Sequence, residues 1–131
     1  ENLLKGRHIL LAEDNELNAE IAMTILEGMG MSVELATDGI KCVDKLKQNP
    51  DNTYDLILMD IQMPGLDGYQ ATQAIRKLPD PKKAGIPIVA MTANAFEEDK
   101  KKAFEMGMNG HIAKPVDISK MEETIALVLA K

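Results

Sequence analysis

The sequence predicts an α/β fold, a three-layer sandwich built on one parallel five-stranded sheet, and three observations carry that reading. Short apolar runs alternate along the chain with segments of helical periodicity, five of each. The run Leu56, Ile57, Leu58 and Met59 is unbroken, too short for a helix and too continuous for a half-wet strand, so both its faces are covered. The connections are long enough for right-handed crossovers, which put helices on both faces of a parallel sheet.

Taken in order, a polar lead-in precedes Ile9, Leu10, Leu11 and Ala12, a first strand that ends at Glu13, Asp14 and Asn15. Leu17, Ile21 and Ile25, with Ala22 and Met29 beside them, follow the spacing of a first helix, stopped by Gly28 and Gly30. Val33 to Ala36 is a second strand, and Ile40, Val43 and Leu46 mark a helix halted by Asn49 and Pro50. The central strand ends on Asp60; Met63, Pro64, Gly65 and Gly68 are turn material, and Asp67 is placed to cap the next helix. Ala71, Ile75 and Leu78 line that helix, and a Pro and Gly stretch from Pro79 to Pro87 leads to Ile88, Val89, Ala90 and Met91, a strand ending on Thr92. From Phe96 to Met106 a fourth helix carries seven charged residues and few apolar anchors, which predicts loose packing. His111, Ile112 and Ala113 form the last strand, ending at Lys114. Ser119 and Glu122 have capping-box spacing for a last helix with Met121, Ile125 and Val128 inward.

For a chain of this length the expected strand order is the flavodoxin-like 2-1-3-4-5. Residues 1–131 make a single domain, large enough to hold a core without disulfides. Apolar residues at 45% and charged residues at 27% are ordinary for a soluble protein, and no run approaches the ~20 apolar residues of a membrane span. A net charge of −6 disfavours direct contact with nucleic acid or anionic membranes and favours a cationic ligand. Cys42 is alone and within a helical pattern, so it is packing, consistent with a reducing compartment and a cytoplasmic location. The nine methionines are scattered and read as core filler. Residue 1 is Glu, not Met, so a longer parent protein is expected.

In this strand order the first, third, fourth and fifth strands bring Glu13, Asp14, Asp60, Thr92 and Lys114 to one end of the sheet, where open α/β sheets bind ligands. Singly, Asp14 or Asn15 could cap a helix, Thr92 the next segment, and Lys114 could be a solvated edge charge. Strand tips of acid, acid, hydroxyl and amine exceed what capping needs. Three carboxylates about 5 Å apart would repel by roughly 3 kcal/mol per pair at an effective dielectric of ~20, so a cation is expected, and oxygen ligands open to water suit Mg²⁺. With Lys114 and Thr92 added, the set predicts phosphoryl transfer: Asp60 attacks, Lys114 and Mg²⁺ neutralise phosphoryl oxygens, and Thr92 donates to one. Two rivals share parts of this pattern. A Mg²⁺-dependent aspartyl-phosphate phosphatase would want an acid where Gln62 stands, and a flavin carrier would want a less acidic first turn and more aromatic residues.

Leu11-Ala12-Glu13-Asp14-Asn15, Leu58-Met59-Asp60-Ile61-Gln62-Met63-Pro64, Met91-Thr92-Ala93 and Ala113-Lys114-Pro115 resemble the signature blocks of the receiver domain of two-component response regulators, from about Arg7 to the end. The wording around Glu13 to Asn18 and Thr92 to Phe96 is most similar to receivers attached to hybrid sensor histidine kinases. The resemblance implies that Asp60 is the phosphoacceptor, that Glu13, Asp14, Asp60 and the backbone carbonyl of Gln62 hold Mg²⁺, and that Thr92 and Lys114 are the switch pair. It implies a histidine kinase or histidine phosphotransfer domain as partner, and chemistry limited to self-phosphorylation and self-dephosphorylation. It further implies tethering to a membrane kinase in the longer protein and a homodimer through the fourth helix, fifth strand and fifth helix. Asn94 is placed to influence the hydrolytic water, and the bond from Lys114 to Pro115 is often cis in such domains. One position departs from the pattern: His111 stands where most receivers carry Tyr or Phe. A histidine at this switch position can rotate between buried and exposed states, but a packed core ring is the expectation.

Overall fold

The structure is a computed structural model, described for residues 4–50, 53–93, 97–114 and 116–130, with 97–99 described for the backbone alone. Five parallel strands, β1 (His8–Ala12), β2 (Ser32–Ala36), β3 (Leu56–Asp60), β4 (Ile88–Thr92) and β5 (Gly110–Ala113), form one sheet in the order β2-β1-β3-β4-β5. The helices are α1 (Glu16–Gly28), α2 (Gly39–Gln48), α3 (Gly68–Arg76), α4 (Pro81–Ala84), α5 (Glu97–Glu105) and α6 (Ile118–Leu129). The predicted sandwich and strand order are what the chain adopts. Asn94, Phe96 and Pro115, and with Pro115 the expected cis bond, lie outside the described residues.

Alternation along the strands divides the interior into two cores, one per face of the sheet. Leu10, Ala12, Ile57, Met59 and Ala90 pack with Cys42, Leu46, Ala71, Ile75 and Ala103 from α2, α3 and α5. Ile9, Leu11, Leu56, Leu58, Val89 and Met91 pack with Ala19, Ala22, Leu26, Met121, Ile125 and Val128 from α1 and α6. β3 and β4 are buried along their whole length, as unbroken apolar runs require. Cys42 is a packed core residue whose thiol burial pushes up to about 12, so it stays protonated.

Four local details go beyond the spacing of the sequence, and the last corrects an expected cap. In α1 the buried stripe is Ala19, Ala22 and Leu26, while Leu17 and Ile21 are exposed at 64% and 45%. Both stripes have helical spacing, and the small alanines let the helix lie close to the sheet. Ile40 likewise faces out, and Cys42 and Leu46 carry the contact of α2. The Pro79 to Pro87 stretch is not wholly irregular: it contains α4, capped by Asp80 and begun by Pro81, whose missing N–H costs nothing at a first helical position. Finally, α6 starts before Ser119, because the Asp117 carboxylate accepts the Lys120 N–H at 3.1 Å and ends the chain's approach two residues earlier. Asp67, by contrast, forms the expected cap on α3, as a full capping box with Gln70.

Candidate functional site

β1, β3, β4 and β5 deliver their last residues to the same edge of the sheet. In register, Asp60 lies beside Met91 and Thr92 beside Ala113, and the Lys114 N–H bonds the Thr92 carbonyl at 2.7 Å. The fold of the loop after β3 is set by close packing: a Cβ on Gly68 would lie 2.5 Å from the Asp60 carbonyl oxygen and 2.8 Å from Ile61 Cα. Only glycine lets α3 begin so close beneath the strand end.

The four predicted charged side chains converge. Carboxylate oxygens of Glu13, Asp14 and Asp60 all lie within 4.8 Å of one another. Lys114 Nζ sits 3.1 Å from Glu13 Oε1 and 3.1 Å from Asp60 Oδ1, bridging the two buried acids. Backbone N–H groups steady both: Asn15 donates to Glu13 Oε2 at 3.1 Å and Gln62 to Asp60 Oδ1 at 3.2 Å. Asp14 is exposed, and Thr92 is buried one residue past the strand partner of Asp60.

The electrostatics follow from that crowding. Burial first, then the neighbouring Asp60 carboxylate, raise the Glu13 carboxyl above its usual range against the opposing pull of the Asn15 N–H and Lys114. Burial alone would lower the Lys114 ammonium, but Asp60 and Glu13 outweigh it and hold the lysine charged. One ammonium against three acids leaves the pocket short of positive charge. The donor set fits a hard divalent cation: carboxylate oxygens from three residues, one of them open to water, and no thiol or imidazole among the described ligating groups.

His111 is half-buried on β5 opposite Ala90, and its Nε2 is buried without a hydrogen-bond partner among the described residues. It is not the fully packed core ring expected, since it also lines an open cavity with Ile112, Lys120 and Thr124. Two features escaped the sequence reading: a cavity of about 290 Å³ beside Glu13 and Lys114, walled by Asn18, Ile21, Ala22, Met91 and Val116, and the role of Arg76, described below. Neither has a sequence signal, because each depends on which turn faces which.

Fold and pocket together define an open α/β domain with an aspartate nucleophile candidate, a metal-competent acid pair and a lysine at the carboxyl ends of its strands. The chain belongs to the response regulator receiver domain family, whose family model matches residues 9–126. It is therefore a receiver domain of the two-component and phosphorelay class. It is 38% identical over 152 residues to Histidine kinase 1 of Arabidopsis thaliana, a match covering 93% of this chain and 13% of that kinase. Among solved structures it is similar to the receiver domain of a sensor histidine kinase from Pseudomonas aeruginosa with magnesium coordinated in its active-site cleft, with TM-score 0.84, 36% identity, and 96% and 99% of the two chains covered. It is also similar to the complex of the histidine phosphotransfer protein Ypd1 with the receiver domain of Ssk1 from Saccharomyces cerevisiae, with TM-score 0.84, 30% identity, and 96% and 90% covered. Among the described residues no helix is long and apolar enough to cross a membrane.

Proposed function

We propose that Asp60 takes a phosphoryl group from a phosphohistidine on a histidine kinase or phosphotransfer domain. A carboxylate oxygen of Asp60 forms the new O–P bond, the P–N bond to the donor imidazole breaks, and the imidazole leaves with a proton. The observation that carries this reading is the Lys114 ammonium at 3.1 Å from both Asp60 and Glu13, a positive charge fixed where phosphoryl oxygens would arrive. Glu13, Asp14, Asp60 and the Gln62 backbone carbonyl would hold Mg²⁺, as the Pseudomonas relative's magnesium supports. Bound there, it supplies charge neutralisation for the transferring group.

Around that step the chain's residues divide the work. Asn15 and Gln62 N–H groups hold the two buried acids in place. Lys114 exchanges part of its contact with Glu13 for the phosphoryl oxygens, and the Thr92 hydroxyl donates to one of them. The added charge draws Thr92 and Lys114 inward, and α5 with β5 repacks to present a changed surface. α5 suits that role: among its residues 100–105 only Ala103 is buried.

Ile21, exposed and lining the cavity beside Glu13 and Lys114, and Leu17, exposed four residues before it on α1, offer apolar contact for a phosphohistidine partner. In the longer protein the domain serves as the receiver of a hybrid histidine kinase on the cytoplasmic side, and the α5–β5–α6 face serves as a homodimer contact.

Intact-mass measurement after incubation with Mg²⁺ and a small acyl phosphate tests the reading. Wild type gains one phosphoryl mass; Asp60→Asn gains none, and chelation of Mg²⁺ abolishes the gain. An undiminished adduct on Asp60→Asn overturns the assignment, and multiple turnover on phosphate esters would point to a phosphatase.

A further inference from the structure

α5 ends in a Schellman turn: Met108 N–H bonds the Ala103 carbonyl at 2.9 Å, Gly107 N–H bonds that of Phe104 at 3.0 Å, and Gly107 has φ +100°. The carbonyl this turn leaves outward is taken by Arg76 at the end of α3. Arg76 donates from Nε and one terminal nitrogen to Gly107 O at 2.9 and 2.7 Å, and from the latter nitrogen also to Asn109 Oδ1 at 2.8 Å. Its other terminal nitrogen donates to Ala84 O at 2.6 Å and Ile86 O at 2.7 Å. These five bonds use all five guanidinium donors. Asn109 then ties the same turn to β4, giving its N–H to Ile88 O at 2.6 Å and accepting the Ile88 N–H at 2.9 Å. A side chain at 107 would meet the arginine, since a Cβ there would lie 3.1 Å from Arg76 Cγ.

Among the described residues three segments share this hub: the end of α3, the α4–β4 connection and the α5–β5 turn. α5 is thus bolted at its C-terminal end, and the residues buried there, Ala103 and Met108, add to the anchor. Its other end follows the Thr92 tip of β4. A nine-residue helix is about 13 Å long, so a fixed far end turns a small push near Thr92 into a swing.

We infer that Arg76 is a positioning residue that makes the Gly107 turn the pivot of α5, so that phosphorylation swings the Thr92 end of the helix while residues 106–109 stay in place. This rests on the proposed phosphorylation of Asp60, and the mass adduct separates the two claims. Residue-resolved amide exchange is measured on wild type with and without Mg²⁺ and acyl phosphate. Exchange should change at 97–102 and remain the same at 106–109; an adduct with an equal change at 106–109 overturns the pivot alone. In Arg76→Gln, still phosphorylated on Asp60, exchange at 106–109 should rise roughly tenfold, and the adduct-dependent change should spread through the turn. An Arg76→Gln protein whose adduct-dependent change still stops before 106 refutes the role of the arginine. Should that variant not fold, the wild-type comparison decides.

Discussion

At the scale of single residues, position 68 carries more than its size suggests. Alanine there must move backbone, not a flexible side chain, because the atoms it meets belong to Asp60 and Ile61. Gly68→Ala should therefore cost about 1–3 kcal/mol in urea unfolding. It should also slow acyl-phosphate labelling; unchanged labelling would show that the loop does not set the aspartate. Far from the site, Glu34 accepts from Lys45 Nζ at 2.8 Å and from the Tyr54 hydroxyl at 2.9 Å. Lys45 first and Tyr54 second hold the Glu34 carboxyl below its ordinary 4.5, while burial first, and then the same carboxylate, push the Tyr54 phenol up. A depressed acid stabilises the fold above its unfolded value, and that contribution is lost as pH falls through the folded one. The stability gap between wild type and Glu34→Gln should accordingly be constant above about 4.5 and close below it. A gap that widens on acidification would rule the network out. Sequence spacing could not reveal this triangle, which joins β2, α2 and the lead-in to β3.

At the scale of elements, capping decided where helices begin. Asp117, not Ser119, holds the first turn of α6. Replacing Asp117 by alanine should cost about 1 kcal/mol, and Ser119→Ala should stay within roughly ±0.5 kcal/mol, read as shifts in denaturant midpoint. Equal effects would mean that the helix frays to the later start. α1 teaches a related lesson about faces. Leu17-Ile21-Ile25 and Ala19-Ala22-Leu26 both satisfy helical periodicity, and hydrophobicity alone selects the larger residues. The sheet selects the alanines, since small side chains permit close approach, which leaves Leu17 and Ile21 exposed, with Ile21 lining the cavity beside Glu13.

At the scale of the whole molecule, the net charge of −6 and the clustered acids predict a stability that responds to a divalent cation. A ligand bound only by the folded state stabilises it by RT ln(1 + [L]/Kd), about 2.7 kcal/mol at a hundredfold excess over Kd. Mg²⁺ should therefore raise the thermal midpoint of wild type, and Asp14→Asn should blunt that rise at equal Mg²⁺. A rise unaffected by Asp14→Asn would place the ion elsewhere.

The strands, and the placing of Glu13, Asp14, Asp60, Thr92 and Lys114 at or just past their tips, were legible from the chain alone, because a strand buried on both faces must be a continuous apolar run and the residue that breaks the run marks its tip; the sheet order followed from the fold class expected at this length. Period and punctuation are local, so they survive in one dimension. What only the tertiary structure decided was which of two equivalent helical stripes faces inward, how Lys114 divides itself between two acids, and that Arg76 spends every donor on two other segments, the α4–β4 connection and the α5–β5 turn. Those outcomes depend on the packing distance and direction between pieces remote in sequence, quantities that residue type and spacing do not encode.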